Sequence, residues 1–490
     1  MSPAALPVLL FIGLAAPIAP VAAEPSAPAA LQPAIEALLA TGPPGTRYGL
    51  VVTTLDGEQL LAIAPDGRFI PASNTKIFTT ALAHADIAAL QQAAVGTGVR
   101  LEPAGGGASD VVMHGRGDPM LASTPDCATD CLQTLADAVA ARTRHVRDVV
   151  GDDSWFPAER WGQGMSWNNI QSRYGTGISA LTLDDNEVST TVTPAATGKT
   201  PVVSGSSYYR IDNRIVTVVG NAEAIVAERA PNSDLVRLTG TLGSTAAPIT
   251  LRFSIDDPAH YAAWRMRALL LARGVKVTGA IATRHRPIAP SDDPAVRDGA
   301  PPPRPPLPEM LASLPAPPLV ADLRIINKQS QNLHAELLLR RVARQAGSGS
   351  VADGRAALQR LMATAGITAT GFTLADGSGM SSYNRITPRA TAALLVWIAR
   401  QPWGDAWRET LPIAGQDGTL RSRFKGTALQ GKLLAKTGSL NAARALSGYL
   451  VAKSGRTLAF SGLANDMPDG TDGDAVAVVD QALLAVANAL

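Results

Sequence analysis

The pattern of helix and strand signals changes twice along this 490-residue chain. In residues 24–97 and 319–490, helical periodicities alternate with short apolar strands, which predicts a mixed α/β (α+β) domain. Residues 98–286 instead carry short alternating segments such as "SYYRIDNRIVTVV", punctuated by Gly, Asn and Asp, which predicts β-rich structure. We therefore expect a long accessory region of two small domains, inserted into one larger domain whose two parts are distant in sequence.

Residues 287–318 are dense in proline, and we expect them to form an extended, exposed connector between the inserted region and the second part of the larger domain. Near the N-terminus, "YGLVVTTLDGEQLLAIAP" predicts two strands joined by a turn at Asp56-Gly57. Near the C-terminus, "LLAKTGSL", "ARALSGYLVAK" and "TLAFSGLAN" predict an antiparallel meander. The apolar tail, residues 475–490, is too short for a membrane span and predicts a helix packed on that sheet.

The first 23 residues have the shape of a secretory signal peptide. An apolar run, residues 6–16, is followed by Val21-Ala22-Ala23, a small-residue cleavage site. The segment before the run lacks Lys and Arg, and a buried N-terminal helix is the alternative, although three prolines interrupt it. We expect export, with a mature protein that has no transmembrane span and lies in the periplasm of a bacterium.

Charge and cysteine content restrict the partners. Lys plus Arg number 43 and Asp plus Glu 41, a net charge of +2, which does not favour nucleic acid or a charged membrane surface. A small or peptidic partner fits better.

Cys127 and Cys131 stand four residues apart with no histidine at ligand spacing, so they cannot complete a zinc site. In an oxidising compartment we expect a local disulfide; two unpaired thiols are the alternative.

The stretch "PASNTKIFTT" places Ser73 three residues before Lys76 at the start of a predicted helix, so both side chains share one face. A serine hydroxyl becomes a good nucleophile only when a neighbouring base takes its proton. Lys76 can be that base if its pKa falls by about three units from about 10.4, which burial, the helix N-terminus and a second cation all favour. Alone, the pair is weak evidence, and a capping serine with a solvated lysine would be the better interpretation.

Two further motifs follow in order. "NKQSQNLHAE" supplies Ser330 and Asn332, and "LLAKTGSL" supplies Lys436-Thr437-Gly438 at the end of a predicted strand. S-x-x-K, S-D-N and K-T-G together are the signature of penicillin-binding proteins and class A β-lactamases. Each motif has a physical role. Ser330 can relay a proton to a leaving amine, and Asn332 can hold the substrate amide and the first lysine.

In the third motif, Lys436 and Thr437 offer a positive charge and a hydroxyl to a substrate carboxylate. Gly438 lets the strand approach the substrate backbone closely. Three loose motifs in this order, on these predicted elements, argue for catalysis more strongly than any one of them does.

With these motifs the chain resembles the low-molecular-mass class C, type-4 penicillin-binding proteins, the D-alanyl-D-alanine carboxypeptidase and endopeptidase family. The likeness covers nearly the whole mature chain and includes four further blocks, "GDDSWF" (151–156), "YGTGISALTLDDNEV" (174–188), "LADGSGMSSYN" (374–384) and "LPIAGQDGTLRSR" (411–423). It implies a penicillin-binding/β-lactamase-like serine transpeptidase fold, with an antiparallel sheet flanked by helices and an insertion after the nucleophile helix. It also implies that Ser73 is acylated, that Lys76 is its base, and that the backbone N–H groups of Ser73 and Ser439 hold the oxyanion.

The sequence departs from the family at two positions. In many relatives an Arg after the "DGSGMS" block and an Asp five residues before the aromatic at Tyr174 grip a diaminopimelate side chain. Here those positions are Ser382 and Asn169. A site without both charges should recognise a zwitterionic side chain less well.

We therefore interpret the chain as a periplasmic serine-type D-alanyl-D-alanine carboxypeptidase or endopeptidase acting on peptidoglycan stem peptides. β-Lactam antibiotics should acylate it as covalent inhibitors, and its mechanism requires no metal or organic cofactor. A β-lactamase and a non-catalytic peptidoglycan-binding scaffold are the alternatives. A Ser-His-Asp hydrolase is poorly supported because no G-x-S-x-G elbow is present.

Overall fold

The structure of the protein, a computed structural model, describes residues 30–301, 306–316 and 318–490. The predicted signal peptide, residues 1–23, lies outside these residues. The first part of the chain forms one helix, the predicted hairpin and then two further helices. Its elements are α1 (Leu31–Leu39), β1 (Arg47–Thr54), β2 (Gln59–Ile63), α2 (Thr75–Ala85) and α3 (Ile87–Ala93). The hairpin is confirmed, since β1 and β2 pair antiparallel on either side of Gly57.

Most strands of the molecule lie in the inserted region. The elements are β3 (Gly98–Pro103), β4 (Ser109–His114), α4 (Leu132–Arg142), β5 (His145–Pro157), β6 (Glu187–Thr193), β7 (Val202–Gly205), β8 (Arg210–Asn213), β9 (Val216–Val218), β10 (Glu223–Glu228), β11 (Leu235–Gly243), β12 (Ile249–Ser254), α5 (Pro258–Ala272), β13 (Lys276–Val277) and β14 (Ile281–Arg286). The predicted β-rich character is therefore present. The division of the chain into domains stays a prediction.

These strands form three sheets. A mixed sheet has the order β13-β5-β4-β3, and β14 also pairs with β5; β12-β6-β7 and β10-β11-β8 form two smaller sheets, with β9 on β11. Helices α4 and α5 pack on this region, and the sequence analysis missed both. For α5 the sequence does contain helix start and stop signals: Asp257 caps the N-terminus, Pro258 is the first helical residue and Gly274 follows the end.

The proline-rich connector differs from the expectation of a uniformly exposed segment. A short strand, β15 (Ala312–Ser313), pairs with β3, and Leu314 beside it is buried in the core of the inserted region. Asp292 is also buried, and its carboxylate binds the Arg286 guanidinium at 2.9 Å. Proline disfavours regular ladders, but it does not prevent the apolar and charged residues between prolines from docking.

The second part of the chain completes the larger domain. Its elements are α6 (Leu319–Arg324), a π-helical segment (Ile325–Gln329), α7 (Asn332–Ala346), α8 (Val351–Thr364), β16 (Phe372–Thr373), β17 (Arg385–Ile386), α9 (Pro388–Ala399), α10 (Gly404–Arg408), β18 (Leu433–Leu440), β19 (Ala443–Val451), β20 (Thr457–Asn465) and α11 (Asp472–Ala489). The predicted meander is confirmed, because β18, β19 and β20 pair antiparallel in sequence order.

The central sheet joins both parts of the chain in the order β18-β19-β20-β1-β2, with β1 antiparallel to β20. Successive side chains of β19 point to opposite faces, as they must in a strand. Ala445 belongs to the apolar cluster that contains residues of α2, α7 and α9, whereas Leu446 belongs to the cluster that contains residues of α1 and α11. The sheet is therefore the middle of three layers, and this is the expected arrangement of an antiparallel sheet flanked by helices.

Helix α11 packs against α1 and the β19–β20 pair, as predicted for the apolar tail. Across residues 30–301, 306–316 and 318–490, no helix is both long enough and apolar enough to cross a membrane. In the inserted region, Cys127 and Cys131 form a disulfide with their Cα atoms 5.8 Å apart. It closes a very short loop, so its contribution to stability is small.

Candidate active site

Ser73 lies in a single 3-10 turn, Ala72–Asn74, immediately before α2. The turn is tied to the central sheet, because the Asn74 carboxamide Nδ2 donates to the Lys436 carbonyl at 2.8 Å. Ala72 has a φ of 48°, a left-handed conformation that costs a non-glycine residue energy and that surrounding contacts must maintain. The serine itself stays partly exposed, so a substrate can reach it.

The Lys76 side chain has no exposed surface and makes three hydrogen bonds. Its Nζ lies 2.9 Å from Ser73 Oγ, 2.7 Å from Asn332 Oδ1 and 2.6 Å from the Ser378 carbonyl oxygen. The three partners come from the turn before α2, from α7 and from the loop before β17. The Lys76 amine is thus the point at which three separate segments of the chain meet.

Burial lowers the pKa of Lys76 to about 7, although the carboxylates of Asp376 and Glu336 act in the opposite direction. This is the direction and about the size of change that a serine-activating base requires. Two of the three partners, the Asn332 and Ser378 oxygens, can only accept hydrogen bonds. A neutral Lys76 amine therefore uses both of its N–H bonds on them, and its lone pair faces Ser73 Oγ.

Ser330 and Asn332 connect the π-helical segment to α7. Ser330 has left-handed backbone angles, φ 62° and ψ 35°, and is partly exposed. The Asn332 carboxamide is oriented by both of its ends: Oδ1 faces Lys76, and Nδ2 donates to the Tyr174 carbonyl at 3.0 Å. Tyr174 belongs to the inserted region, so that region contributes directly to the orientation of Asn332.

Lys436 is fully buried, and its Nζ donates to Ser330 Oγ at 2.8 Å and to the Thr437 carbonyl at 3.0 Å. Burial, together with the nearby Lys76, holds its pKa well below the usual value. Direct capture of a substrate carboxylate by Lys436 stays a prediction. The exposed edge of the motif is formed instead by the Thr437 and Ser439 side chains, and the Thr437 hydroxyl lies 2.8 Å from the hydroxyl of Thr419.

The structure explains why position 438 is a glycine by a contact that the sequence did not suggest. A Cβ atom on it would lie 2.6 Å from the Pro71 carbonyl oxygen and 3.2 Å from the Asn74 amide nitrogen. A distance of 2.6 Å to a backbone atom cannot be relieved by a side-chain rotation. The absent side chain thus lets β18 pack against the turn that carries Ser73.

Two buried carboxylates support this site, and the sequence analysis did not single them out. Glu336 lies one helical turn after Asn332, and its Oε1 accepts from the Gly377 and Ser378 amides at 3.0 and 2.8 Å. Asp376 accepts from the Gly379 amide at 2.9 Å. Burial and the neighbouring Asp376 raise the pKa of Glu336 to about 7. Both residues hold the loop whose Ser378 carbonyl binds Lys76. The sequence offered one indication of the role of Glu336, since its i, i+4 spacing from Asn332 places both on the same face of a helix.

The two positions that depart from the family lie on segments that approach each other. Met165 and Ser381 form an isolated antiparallel bridge, which brings the segment around Asn169 beside the segment around Ser382. The Ser382 hydroxyl donates to the Gly164 carbonyl at 2.9 Å, so it is occupied by a backbone group. The site residues from these segments are therefore in the same part of the molecule.

Asn169 ends a 3-10 turn, Trp167–Asn169, and its buried Nδ2 has no hydrogen-bond partner among the described residues. Tyr174 and Trp167 leave 56% and 72% of their surfaces exposed. This margin of the site combines neutral side chains with exposed aromatic rings, and the charged Arg173 guanidinium lies 4.8 Å from the centre of the Tyr174 ring.

Comparisons with known proteins agree on one family. A sequence model of the D-Ala-D-Ala carboxypeptidase 3 (S13) family matches residues 31–485. The chain is 33% identical over 454 residues to a D-alanyl-D-alanine carboxypeptidase of Actinomadura sp. (strain R39), covering 89% of this chain and 79% of the relative. It is 25% identical over 450 residues to D-alanyl-D-alanine carboxypeptidase DacB of Haemophilus influenzae, covering 87% of each.

Comparison with solved structures indicates the same family of folds. The crystal structure of penicillin binding protein 4 (dacB) from Haemophilus influenzae superposes with a TM-score of 0.76 at 23% identity, covering 92% of this chain and 98% of that chain. The same protein complexed with a β-lactam gives a TM-score of 0.71 at 20% identity, covering 93% and 99%. At these identities the likeness concerns the fold, and the penicillin-binding/β-lactamase-like architecture is confirmed.

Gly438→Ala tests whether the packing of β18 against the Ser73 turn sets the reactivity of the serine. The added methyl group must push the strand or the turn away, and a displacement near 1 Å in a catalytic geometry costs about 100-fold in rate. We expect acylation of Ser73 by an activated ester, followed by intact mass, to slow by about that factor. Gly473→Ala is the matched control, because a Cβ atom there meets nothing within 4 Å. An unchanged acylation rate in folded Gly438→Ala protein would show that the close approach is not required.

Proposed function

The chain belongs to the D-Ala-D-Ala carboxypeptidase 3 (S13) family, the serine-type carboxypeptidases among the penicillin-binding proteins, and we propose that it trims or un-crosslinks peptidoglycan stem peptides through an acyl-enzyme on Ser73. One observation carries the proposal. The Lys76 amine, with a pKa lowered to about 7 by burial, donates to two carbonyl oxygens and leaves its lone pair toward Ser73 Oγ. That geometry is what a serine nucleophile needs and what a purely structural lysine does not.

In the acylation step, Lys76 takes the Ser73 proton as Oγ attacks the carbonyl carbon of the penultimate D-residue. A new C–O bond forms, and the carbonyl oxygen becomes an oxyanion. The backbone N–H groups of Ser73 and Ser439 are the proposed donors to that oxyanion. The close packing of β18 on the Ser73 turn supports this assignment, since it brings both backbone segments together.

The second half of acylation breaks the C–N bond and requires a proton on the leaving amine. Ser330 is the proposed relay: Lys436 donates to its Oγ, so the Ser330 hydroxyl hydrogen is free to point toward the amine. The proton that Lys76 accepted balances this transfer. No hydrogen bond joins Lys76 to Ser330 among the described residues, so its passage to Ser330 requires a water or substrate atom between them. Water then attacks the ester and regenerates Ser73. A leaving D-alanine makes the reaction a carboxypeptidase step, and a leaving cross-linked side chain makes it an endopeptidase step.

We also propose a periplasmic location and β-lactams as covalent inhibitors of the same serine. The signal-like residues 1–23 support export. A β-lactam presents its strained amide carbonyl to the nucleophile in place of the peptide, and the Haemophilus influenzae protein of similar fold has been solved with one. A β-lactamase would use the same residues but would hydrolyse the adduct quickly, so adduct lifetime separates the two functions.

At the third residue of the stem peptide we propose a preference for a side chain without a free zwitterionic end. Asn169 and Ser382 carry no charge, and the Ser382 hydroxyl is already bonded to the Gly164 carbonyl. A charge-assisted grip, about twice as strong as a neutral hydrogen bond, is therefore absent at these positions.

The substrate preference is tested with two stem peptides that differ only in the third residue, one with free diaminopimelate and one with a neutral side chain. We expect kcat/KM for the neutral peptide to equal or exceed that for the diaminopimelate peptide. A clear preference for free diaminopimelate would contradict this part of the proposal and would point to other charged residues in the recognition of that side chain.

The nucleophile is tested by incubating the purified mature protein with benzylpenicillin and following its intact mass over time. We expect a stable mass increase on the wild type and none on Ser73→Ala, which should also fail to release D-alanine from a D-Ala-D-Ala peptide. Ser454→Ala is the matched control, because Ser454 is an exposed serine in the turn between β19 and β20. It should form the adduct at the wild-type rate.

Three results would contradict the proposal. An adduct or D-alanine release that persists in Ser73→Ala would place the nucleophile elsewhere. A rapid return of the wild type to its free mass, with consumption of the drug, would indicate a β-lactamase. Failure of the folded wild type to react with either penicillin or peptide would favour the non-catalytic scaffold.

A further inference from the structure

His334 is a buried histidine two residues after Asn332, and the catalytic steps above do not use it. Its side chain is only 2% exposed. Ring Nδ1 lies 2.8 Å from Asp322 Oδ1, and ring Nε2 lies 3.0 Å from Asp185 Oδ1. Both nitrogens therefore face carboxylates, an arrangement that a doubly protonated imidazolium satisfies and a neutral ring does not.

The contact with Asp322 bridges the loop that carries the second catalytic motif. Asp322 lies on α6, which leads into the loop, and His334 lies on α7, which leads out of it. Between them is Ser330 in its left-handed conformation, φ 62°. A non-glycine residue keeps such a conformation only where surrounding contacts over-determine it. The His334–Asp322 bond joins the two ends of the segment that must hold this conformation.

The contact with Asp185 reaches into the inserted region. Asp185 is the middle of three consecutive residues with positive φ, at 52°, 54° and 52° for Asp184, Asp185 and Asn186. This unusual turn directs its carboxylate toward α7. Together the two contacts link the inserted region, the helix before the motif and the helix after it through one ring.

Hydrogen bonds to both carboxylates outweigh the effect of burial and raise the pKa of His334 to about 9. Other charged groups lie near these two carboxylates. Arg341 binds Asp322 at 3.1 Å, and Asp118 interacts with both of those residues; Arg173, Arg252 and Glu187 lie near Asp185. Since the folded-state pKa is raised, the stabilisation is complete below the free value of about 6.5 and is lost as pH rises through about 9.

We propose that His334 is a positioning residue, whose imidazolium joins Asp322 to Asp185 and thereby fixes the loop of Ser330 and Asn332 against the inserted region. The assignment rests on the proposed function, because those two residues matter only if Ser73 chemistry occurs. A neutral ring keeps a single N–H bond, so one carboxylate then faces a lone pair and the bridge opens at one end. The loop loses its fixed geometry, while the catalytic residues themselves remain chemically unchanged.

The test is the pH profile of kcat/KM for a D-Ala-D-Ala peptide in the wild type, His334→Gln and Asp185→Asn. The wild-type profile should rise through about pH 7, as Lys76 becomes neutral, and fall through about pH 9, as His334 loses its proton. His334→Gln should lower kcat/KM about 10- to 100-fold at pH 8 and abolish the alkaline fall. Asp185→Asn should shift that fall to lower pH, because the ring loses one of its two carboxylates.

The inserted region provides a matched control. His285 also lies between two carboxylates, with Nδ1 2.8 Å from Asp153 and Nε2 3.3 Å from Asp257, and hydrogen bonds to both raise its pKa to about 9. It does not bridge the catalytic loop. His285→Gln should therefore retain both the wild-type rate and the wild-type alkaline fall, even if it lowers thermal stability.

The same profiles are measured for acylation of Ser73 by an activated ester, so that positioning can be judged even where the peptide is not cleaved. An alkaline fall that is unchanged in folded His334→Gln and Asp185→Asn would overturn the positioning role and leave the proposed function intact. If His285→Gln also lost the alkaline fall in rate, the positioning role of His334 would likewise be overturned, since the pH dependence would then not require a contact with the catalytic loop. A wild type that is acylated by the ester but cleaves no peptide would overturn the function alone.

Discussion

The buried amine of Lys76 is the contact on which the rest of the site depends. It meets one hydroxyl and two carbonyl-type oxygens, and these come from helices and loops far apart in sequence. Two acceptor-only partners fix where its hydrogen atoms lie, so the remaining lone pair points to Ser73. The same burial that makes the contact possible removes the charge from the amine near neutral pH. The position and the lowered pKa of the Lys76 amine thus have a single physical cause.

Much of the surrounding fold can be understood as a way to hold that contact. Glu336 and Asp376 accept backbone amides of one loop, so that its carbonyl at Ser378 is aimed at the lysine. Gly438 lets the edge strand of the central sheet contact the turn that carries Ser73. The inserted region contributes through the Tyr174 carbonyl, which accepts a hydrogen bond from Asn332. The long insertion therefore helps to fix the geometry of the candidate active site.

The sequence predicted the parts that depend on local spacing and alternation. The spacing of three positions from Ser73 to Lys76 places both side chains on one helical face, and the strand pattern near Lys436 predicts the meander that the structure contains. The sequence could not predict the position of the Lys436 amine. Lys436 is buried and its Nζ donates to Ser330, and the spacing of residues along the chain gives no information on such burial. The support from Glu336 was also missed, because its partners are backbone amides about 40 residues later.

The proposed role of Lys76 requires that its amine exchange a proton near neutrality inside the folded protein. A pH titration by carbon-13 NMR of protein labelled at lysine Cε measures this exchange, with Lys76→Arg used to assign the resonance. We expect one resonance, absent from Lys76→Arg, that titrates near pH 7. A Lys76 resonance that titrates near the free value of about 10.4 would rule out this role, because the lysine would then be an ammonium when Ser73 has to lose its proton.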